Sequence, residues 1–326
     1  MITVVVPAYN AAQTLPACLG ALQNQTHPVD EIIVVNDGSK DETAKIAESF
    51  NVKVINQSHQ GPAVARNLGL SNAHNDIVFF TDADCEPISS WAAEMLAPFS
   101  DPLVVGVKGS YRTHQKEIVA RLVQYEFEER YDKLERHATI DFIDTYAAAF
   151  IKAVISKIGG FDPAFPRAVS EDAELSYRLS RAGYRLVFNR SAVVYHRHPY
   201  TWKAYVRRKI KFSYWRMMAY RLHPTKFLRD SYTPQVLKIQ IMLGYVIFGF
   251  TGLAIYNPIF LCGTVLALGC LLVSAIPFIR RVKKYENSLF FASLAFVLVR
   301  SLAFAIGAAS GMVGMLFFQS KRSLKG

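Results

Sequence analysis

Cysteine is scarce in this chain: 326 residues hold only Cys18, Cys85, Cys262 and Cys270. No two form a Cys-x-x-Cys pair, which excludes a disulfide framework and a cysteine zinc site. Reduced thiols in a cytosol-facing protein are expected, with Cys85 a small packing residue. No Gly-x-Gly-x-x-Gly turn follows the first strand. Pro7-Ala8-Tyr9-Asn10-Ala11-Ala12 stands there instead, which argues against a nucleotide-binding dehydrogenase. The opening MITVVVPAYN has no basic n-region, so no signal peptide is expected. Acids are nearly absent from residues 196–326, with 2 Asp/Glu against 19 Lys/Arg, whereas residues 1–195 carry 24 against 18. The net charge of +11 therefore belongs to the C-terminal part.

What is there divides in the same way. Residues 1–195 alternate strand and helix patterns. Apolar runs at 2–6, 31–35, 52–55 and 77–80 read as strands, and helical spacing lies between them at 14–25, 41–50 and 61–73. Such alternation means βαβ units and a mostly parallel sheet, an α/β fold with flanking helices. Further on we expect helices at 90–99, 119–136 and 171–182. Strands are expected at 103–111 and 146–151, then two short ones at 185–188 and 192–195.

Residues 197–230 carry ten Lys/Arg and one acid, interleaved with Trp202, Tyr205, Phe212, Tyr214, Trp215 and Tyr220. The segment 201–236 reads as a basic amphipathic helix at a membrane interface, facing anionic lipids. Nucleic-acid binding is the competing reading of such a mixture. It is set aside because apolar spans follow at once. Residues 237–255 and 259–279 form a hairpin of two spans, joined at Tyr256-Asn257-Pro258. Basic residues flank both its ends, so residues 1–236 are expected in the cytosol and the protein in the cell membrane as a multi-pass chain. The apolar segment 288–318 is interrupted by Arg300, which either serves a function or snorkels to an interface. One span would carry Lys321, Arg322 and Lys325 outside, whereas a re-entrant or interfacial pair would keep them inside.

The most telling residues are Asp82-Ala83-Asp84, directly after the strand at 77–80. Ligands of open α/β sheets bind at such strand ends. Paired carboxylates there suit a divalent cation that also holds phosphate oxygens, although a solvated turn would use the same residues. Asp37 ends the second strand, where it can accept hydrogen bonds from a base or ribose or simply form a turn before Gly38. Tyr9 could cover a nucleobase. Gly61 lets backbone approach a ligand at a helix N-terminus. Arg66 either reaches a sugar or diphosphate or is a surface arginine. Glu171-Asp172 opens a helix, which acids favour without any catalytic role.

Taken in order, Val5-Val6-Pro7-Ala8-Tyr9-Asn10, Val34-Val35-Asn36-Asp37-Gly38-Ser39, Gly61 to Asn67, Asp82-Ala83-Asp84 and Ser170-Glu171-Asp172 resemble the motifs of family 2 glycosyltransferases of the GT-A fold. The resemblance covers residues 1–200. It implies a donor site for a nucleotide sugar, such as a UDP-sugar, from Pro7, Ala8, Tyr9, Asn10, Asp37, Gly61, Arg66, Asp82 and Ala83. It implies Mg²⁺ or Mn²⁺ at Asp84 and Asp82, with His196 a third ligand or a structural histidine. It makes Asp172 the catalytic base and Glu171 an acceptor-orienting residue of an inverting enzyme. The Gln-x-x-Arg-Trp motif of processive synthases is missing. Lys211-Phe212-Ser213-Tyr214-Trp215-Arg216 stands nearby, so transfer of one sugar to a lipid-linked or glycolipid acceptor is expected. The alternative is a non-catalytic membrane subunit or sensor that binds a nucleotide sugar.

Overall fold

The computed structural model describes residues 1–165 and 170–317. Eight strands form one sheet: β1 (Ile2–Ala8), β2 (Glu31–Asp37), β3 (Lys53–Gln57), β4 (Ile77–Phe80), β5 (Cys85–Pro87), β6 (Val104–Arg112), β7 (Ala148–Ile151) and β8 (Arg185–His196). Helices α1 (Leu15–Gln23), α2 (Thr43–Ser49), α3 (Pro62–Asn72), α4 (Trp91–Leu96), α5 (Ile118–Leu134), α6 (Lys152–Lys157) and α7 (Glu171–Arg181) flank it. The chain continues as α8 (Trp202–Leu222), α9 (Pro224–Leu228), α10 (Gln235–Leu253), α11 (Phe260–Tyr285) and α12 (Phe290–Met315).

The sheet order is β3-β2-β1-β4-β7-β6-β8-β5. Pairing is parallel from β3 to β4, so the left half follows the βαβ pattern. Val4 to Val6, Ile33 to Val35 and Val78 to Phe80 are all buried, as strands covered on both faces must be. The right half is mixed: β7 runs antiparallel to both β4 and β6, and β5 runs antiparallel to β8. The expected pair of strands at 185–188 and 192–195 is one strand, β8. Lys108 pairs with Phe188 and Ser110 with Val193, so residues between them bulge, and Ser110 Oγ donates to the Arg190 carbonyl.

Helix α8 is not merely a surface helix. Tyr205, Lys209, Ser213 and Arg216 are buried. Ser213 donates to the Phe304 carbonyl of α12. Gly307 allows this contact: a Cβ there would lie 2.2 Å from the Ile210 carbonyl oxygen. Three helical segments, Gln235–Leu253, Phe260–Tyr285 and Asn287–Met315, are long and apolar enough to cross a membrane. The last contains α12, a single unbroken helix over most of the apolar segment expected at 288–318. Arg300 does not snorkel. It is 3% exposed, donates to Gln240 Oε1 at 2.8 Å and lies 3.8 Å from Glu129. Lys321, Arg322 and Lys325 lie outside the described residues.

Candidate active site

The strand ends of β1, β2 and β4 open onto one cleft of about 950 Å³. Pro7, Ala8, Tyr9, Asn10, Asp37, Arg66, Asp82, Ala83, Asp84, Glu171, Asp172 and His196 all line it. Of the donor, metal and catalytic residues expected from the sequence, Gly61 is the one not in the lining. It caps α3 with φ +92°, a conformation that glycine adopts without strain, and its N–H donates to Asp37 Oδ2 at 2.9 Å.

Asp37 is thus engaged within the protein. Its oxygens accept from Gln57 Nε2, the Gln60 N–H and the Gly61 N–H, and His59 Nδ1 lies 3.0 Å away. This ties the turn before α3 to the end of β2. His59 in turn stacks on Tyr9, with ring centroids 4.1 Å apart. Asn10 clips the two neighbouring loops together, accepting from the Lys40 N–H while its own N–H donates to Ser39 Oγ.

Arg66 is buried, 1% exposed, and not a surface arginine. Its Nη1 donates to Glu171 Oε1 at 2.7 Å and its Nη2 to Asp82 Oδ1 at 2.8 Å. One guanidinium therefore joins the end of β4 to the start of α7, and both bonds are charge-assisted. Its cation is directed at these carboxylates. Asp82 Oδ1 is directed at Arg66, while a second group of side chains gathers around Asp84.

That group arises from strand pairing. Cys85 faces His196 across β5 and β8, which brings His196 Nε2 to 3.2 Å from Asp84 Oδ2. Asp84, Cys85 and His196 offer three ligand atoms within 4.8 Å of one another. Burial raises the Asp84 carboxyl, but the His196 hydrogen bond and the charge of Arg208 outweigh it and hold the group below the usual range. Burial and the adjacent Asp82 and Asp84 charges push the Cys85 thiol well up, so it stays protonated and ligates poorly. His196 Nδ1 is buried without a partner. A hard oxygen and an imidazole nitrogen together fit Mn²⁺ or Mg²⁺.

Asp172 sits in the first turn of α7, its Oδ1 accepting from the Ala173 N–H at 2.7 Å. Burial, then the charges of Glu171 and Asp144, push its carboxyl up to about 8, with Arg216 opposing. A carboxylate poised near neutrality is suited to general base work.

Several charged residues in the cleft, or in contact with its lining, carried no signal in the sequence. Lys108 is fully buried, 2.5 Å from Asp144 Oδ2 and 2.9 Å from the Tyr146 hydroxyl. Its ammonium faces the rings of Tyr131, Phe142, Tyr146 and Tyr232. Asp144 Oδ1 is buried with no partner. Arg130 lines the cleft from α5, and Arg208 and Lys209 line it from α8, where the run Arg207-Arg208-Lys209 is expected from the sequence to grip a diphosphate or a lipid phosphate. Glu126 binds both Arg130 and Lys209. None of Lys108, Asp144, Glu126 and Arg130 had a spacing signal: Lys108 lies on β6 and Asp144 just before β7, and Glu126 and Arg130 depend on how α5 packs against α8.

The model of "Glycosyl transferase family 2" matches residues 3–159, and that of "Glycosyl transferase family group 2" matches residues 136–317. The O-antigen chain rhamnosyltransferase RfbN of Salmonella typhimurium is 30% identical over 216 residues, covering 61% of this chain and 67% of that protein. The chain belongs to glycosyltransferase family 2. It is an enzyme that transfers a sugar from a nucleotide-sugar donor. The pre-mycofactocin glycosyltransferase of Mycobacterium tuberculosis is 29% identical over 218 residues, and the chain spans 45% of its length and 64% of its own. The mannosyltransferase PcManGT of Pyrobaculum calidifontis, solved with GDP-Man and Mn²⁺, aligns over 95% of this chain and 86% of its own. The TM-score is 0.62 at 21% identity, which shows the shared GT-A fold.

Proposed function

We propose that this family 2 enzyme is an inverting, divalent-cation-dependent glycosyltransferase that moves one sugar to a lipid-linked acceptor at the cytosolic face of a membrane. The observation that carries this reading is the meeting of Asp84, His196, Arg66 and Asp172 in one cleft. These side chains come from the turn after β4, the end of β8, α3 and α7.

The stacked Tyr9 and His59 offer a surface for the base of the nucleotide at one end of the cleft. Asp84 and His196 would hold Mn²⁺ or Mg²⁺, which when bound neutralises charge on the leaving diphosphate. Arg208 faces the same charge. Arg66 positions Glu171 and Asp82 by holding both. Asp172 takes the proton of the acceptor hydroxyl as its oxygen bonds to the anomeric carbon. The bond from that carbon to the diphosphate oxygen breaks, and its electron pair leaves with the nucleoside diphosphate. Attack from the face opposite the leaving group inverts the anomeric centre.

The cleft continues past Asp172 to Phe127 and Arg130 of α5 and Lys209 and Phe212 of α8. Helices α11 and α12 pack against those two helices, which brings the acceptor end of the cleft beside the apolar part of the chain. Lys238 at the start of α10 and Arg280, Arg281, Lys283 and Lys284 at the end of α11 support a hairpin with both ends in the cytosol.

The test uses the purified full chain with Mn²⁺ and a panel of nucleotide sugars. Asp172→Asn should bind the preferred donor as the wild type does and lose turnover by about 10²–10⁴-fold. Unchanged turnover would clear Asp172 of the base role. A wild type that binds a donor with no hydrolysis or transfer would favour the non-catalytic subunit.

A further inference from the structure

Helix α8 presents two cationic faces. Arg208 and Lys209 line the catalytic cleft. Lys203, Arg207 and Lys211 lie on the opposite side, at four-residue spacing, and line a separate groove of about 650 Å³. Residues four apart stack along one helix face, so these three cations form a row about 12 Å long. Beside it runs a second row at the same spacing: Trp202, Val206, Ile210 and Tyr214. Ser310 of α12 closes the far wall. No carboxylate lines this groove among the described residues, and α8 itself contains none.

An apolar trough beside a row of positive charge needs an occupant with both characters. A free phosphate would satisfy the cations and leave the trough empty. An uncharged hydrocarbon would do the reverse. Trp202 is 38% exposed at the mouth, an amphipathic ring of the kind that settles at headgroup depth. We propose that the groove between α8 and α12 binds one anionic phospholipid, with an acyl chain along Val206 and Ile210 and the headgroup phosphate on Lys203 and Arg207. This rests on the membrane placement proposed above. It adds a lipid site separate from the cleft, on the helix that supplies Arg208 and Lys209 to it. A bound lipid would thereby fix the depth at which the acceptor end of the cleft meets the bilayer.

The test is native mass spectrometry of the detergent-purified full chain, titrated with dioleoylphosphatidylglycerol or dioleoylphosphatidylcholine. The wild type should retain one phosphatidylglycerol in preference to phosphatidylcholine. Each juxtamembrane cation contributes about a factor of five to anionic lipid attraction. Lys203→Gln with Arg207→Gln should therefore reduce that preference about 25-fold. Val206→Trp, which fills the trough without changing charge, should weaken both lipids together. None of these residues belongs to the catalytic cleft, so Mn²⁺-dependent donor hydrolysis should persist in all variants and report that they are folded. Retained preference in the double variant would overturn the proposal. So would equal displacement of the lipid by inorganic phosphate or by a short oligonucleotide. The lipid readout needs no turnover, so a wild type without transferase activity would count against the proposed reaction and not against the groove.

Discussion

Replacing Arg66 by Met removes the one cation that joins Asp82 to Glu171 and keeps an unbranched apolar chain of similar reach. Arg66 and Glu171 are 1% and 2% exposed at the side chain, so Glu171 is left as a buried carboxylate without its counter-ion. Breaking a buried pair in this way costs about 3–5 kcal/mol. Asp82 is 28% exposed and regains some water, which places the cost toward the lower end of that range. At about 2–4 °C per kcal/mol for a domain of ~150–250 residues, the melting temperature should fall by roughly 6–12 °C. The assay is thermal unfolding of the full chain in detergent at pH 7, without ligand. Adding Glu171→Gln to the Arg66→Met chain removes the stranded charge and should recover part of the loss. A fall of less than about 2 °C, or no recovery in the double variant, would refute the claim that this guanidinium locks β4 to α7.

Three further outcomes follow from particular contacts. The native Asp172 carboxyl, pushed up to about 8, binds its proton more tightly than an unfolded Asp near 3.9. The native state then holds the extra proton between those values, so the group's contribution to stability falls as pH rises from about 4 to about 8. Asp172→Asn should therefore gain melting temperature over the wild type progressively across that window, and a difference independent of pH would contradict the assignment. Gly307→Val should cost about 1–3 kcal/mol in thermal unfolding by overpacking against the Ile210 carbonyl, and a neutral result would show that α8 and α12 do not approach so closely. Tyr9→Ala removes a stacking partner worth about 0.5–1.5 kcal/mol, so calorimetry should find the nucleoside diphosphate bound roughly 2- to 12-fold more weakly. Unchanged affinity would place the base elsewhere.

How far the site could be read from sequence varied from residue to residue. The run Ile77 to Phe80 followed by two aspartates marks a buried strand and its ligand edge, and the structure places both acids in the cleft. The two acids nevertheless diverge. Asp84 meets His196 because Cys85 pairs with His196 across β5 and β8. That register links residues 111 positions apart and leaves no local trace. Arg66 resembled any helical arginine, since its spacing does not reveal that Glu171 of α7 and Asp82 after β4 meet its guanidinium. Asp37 stands at the end of β2 and lines the cleft, and its bonds to the turn before α3 leave no mark in the sequence. Asn189 and Ser191 carry turn character and split β8 in the sequence reading. The bulge opposite Ser110 absorbs them within one strand. The apolar run of α12 showed its length but not its partner. That partner is α8, admitted by Gly307 and Gly311, at each of which a Cβ would crowd a backbone carbonyl of α8.

The proposed cation between the nucleotide diphosphate and the pair Asp84 and His196 can be removed by chelation or by substitution of its ligand. The measurement is isothermal calorimetry of the full chain with the preferred nucleotide sugar, first with Mn²⁺ and then with excess chelator. Binding should depend on Mn²⁺ in the wild type and disappear in Asp84→Ala, while thermal unfolding of that variant without ligand stays close to the wild type. Equal affinity in chelator, or Mn²⁺-dependent binding that survives Asp84→Ala, would contradict the proposed cation site.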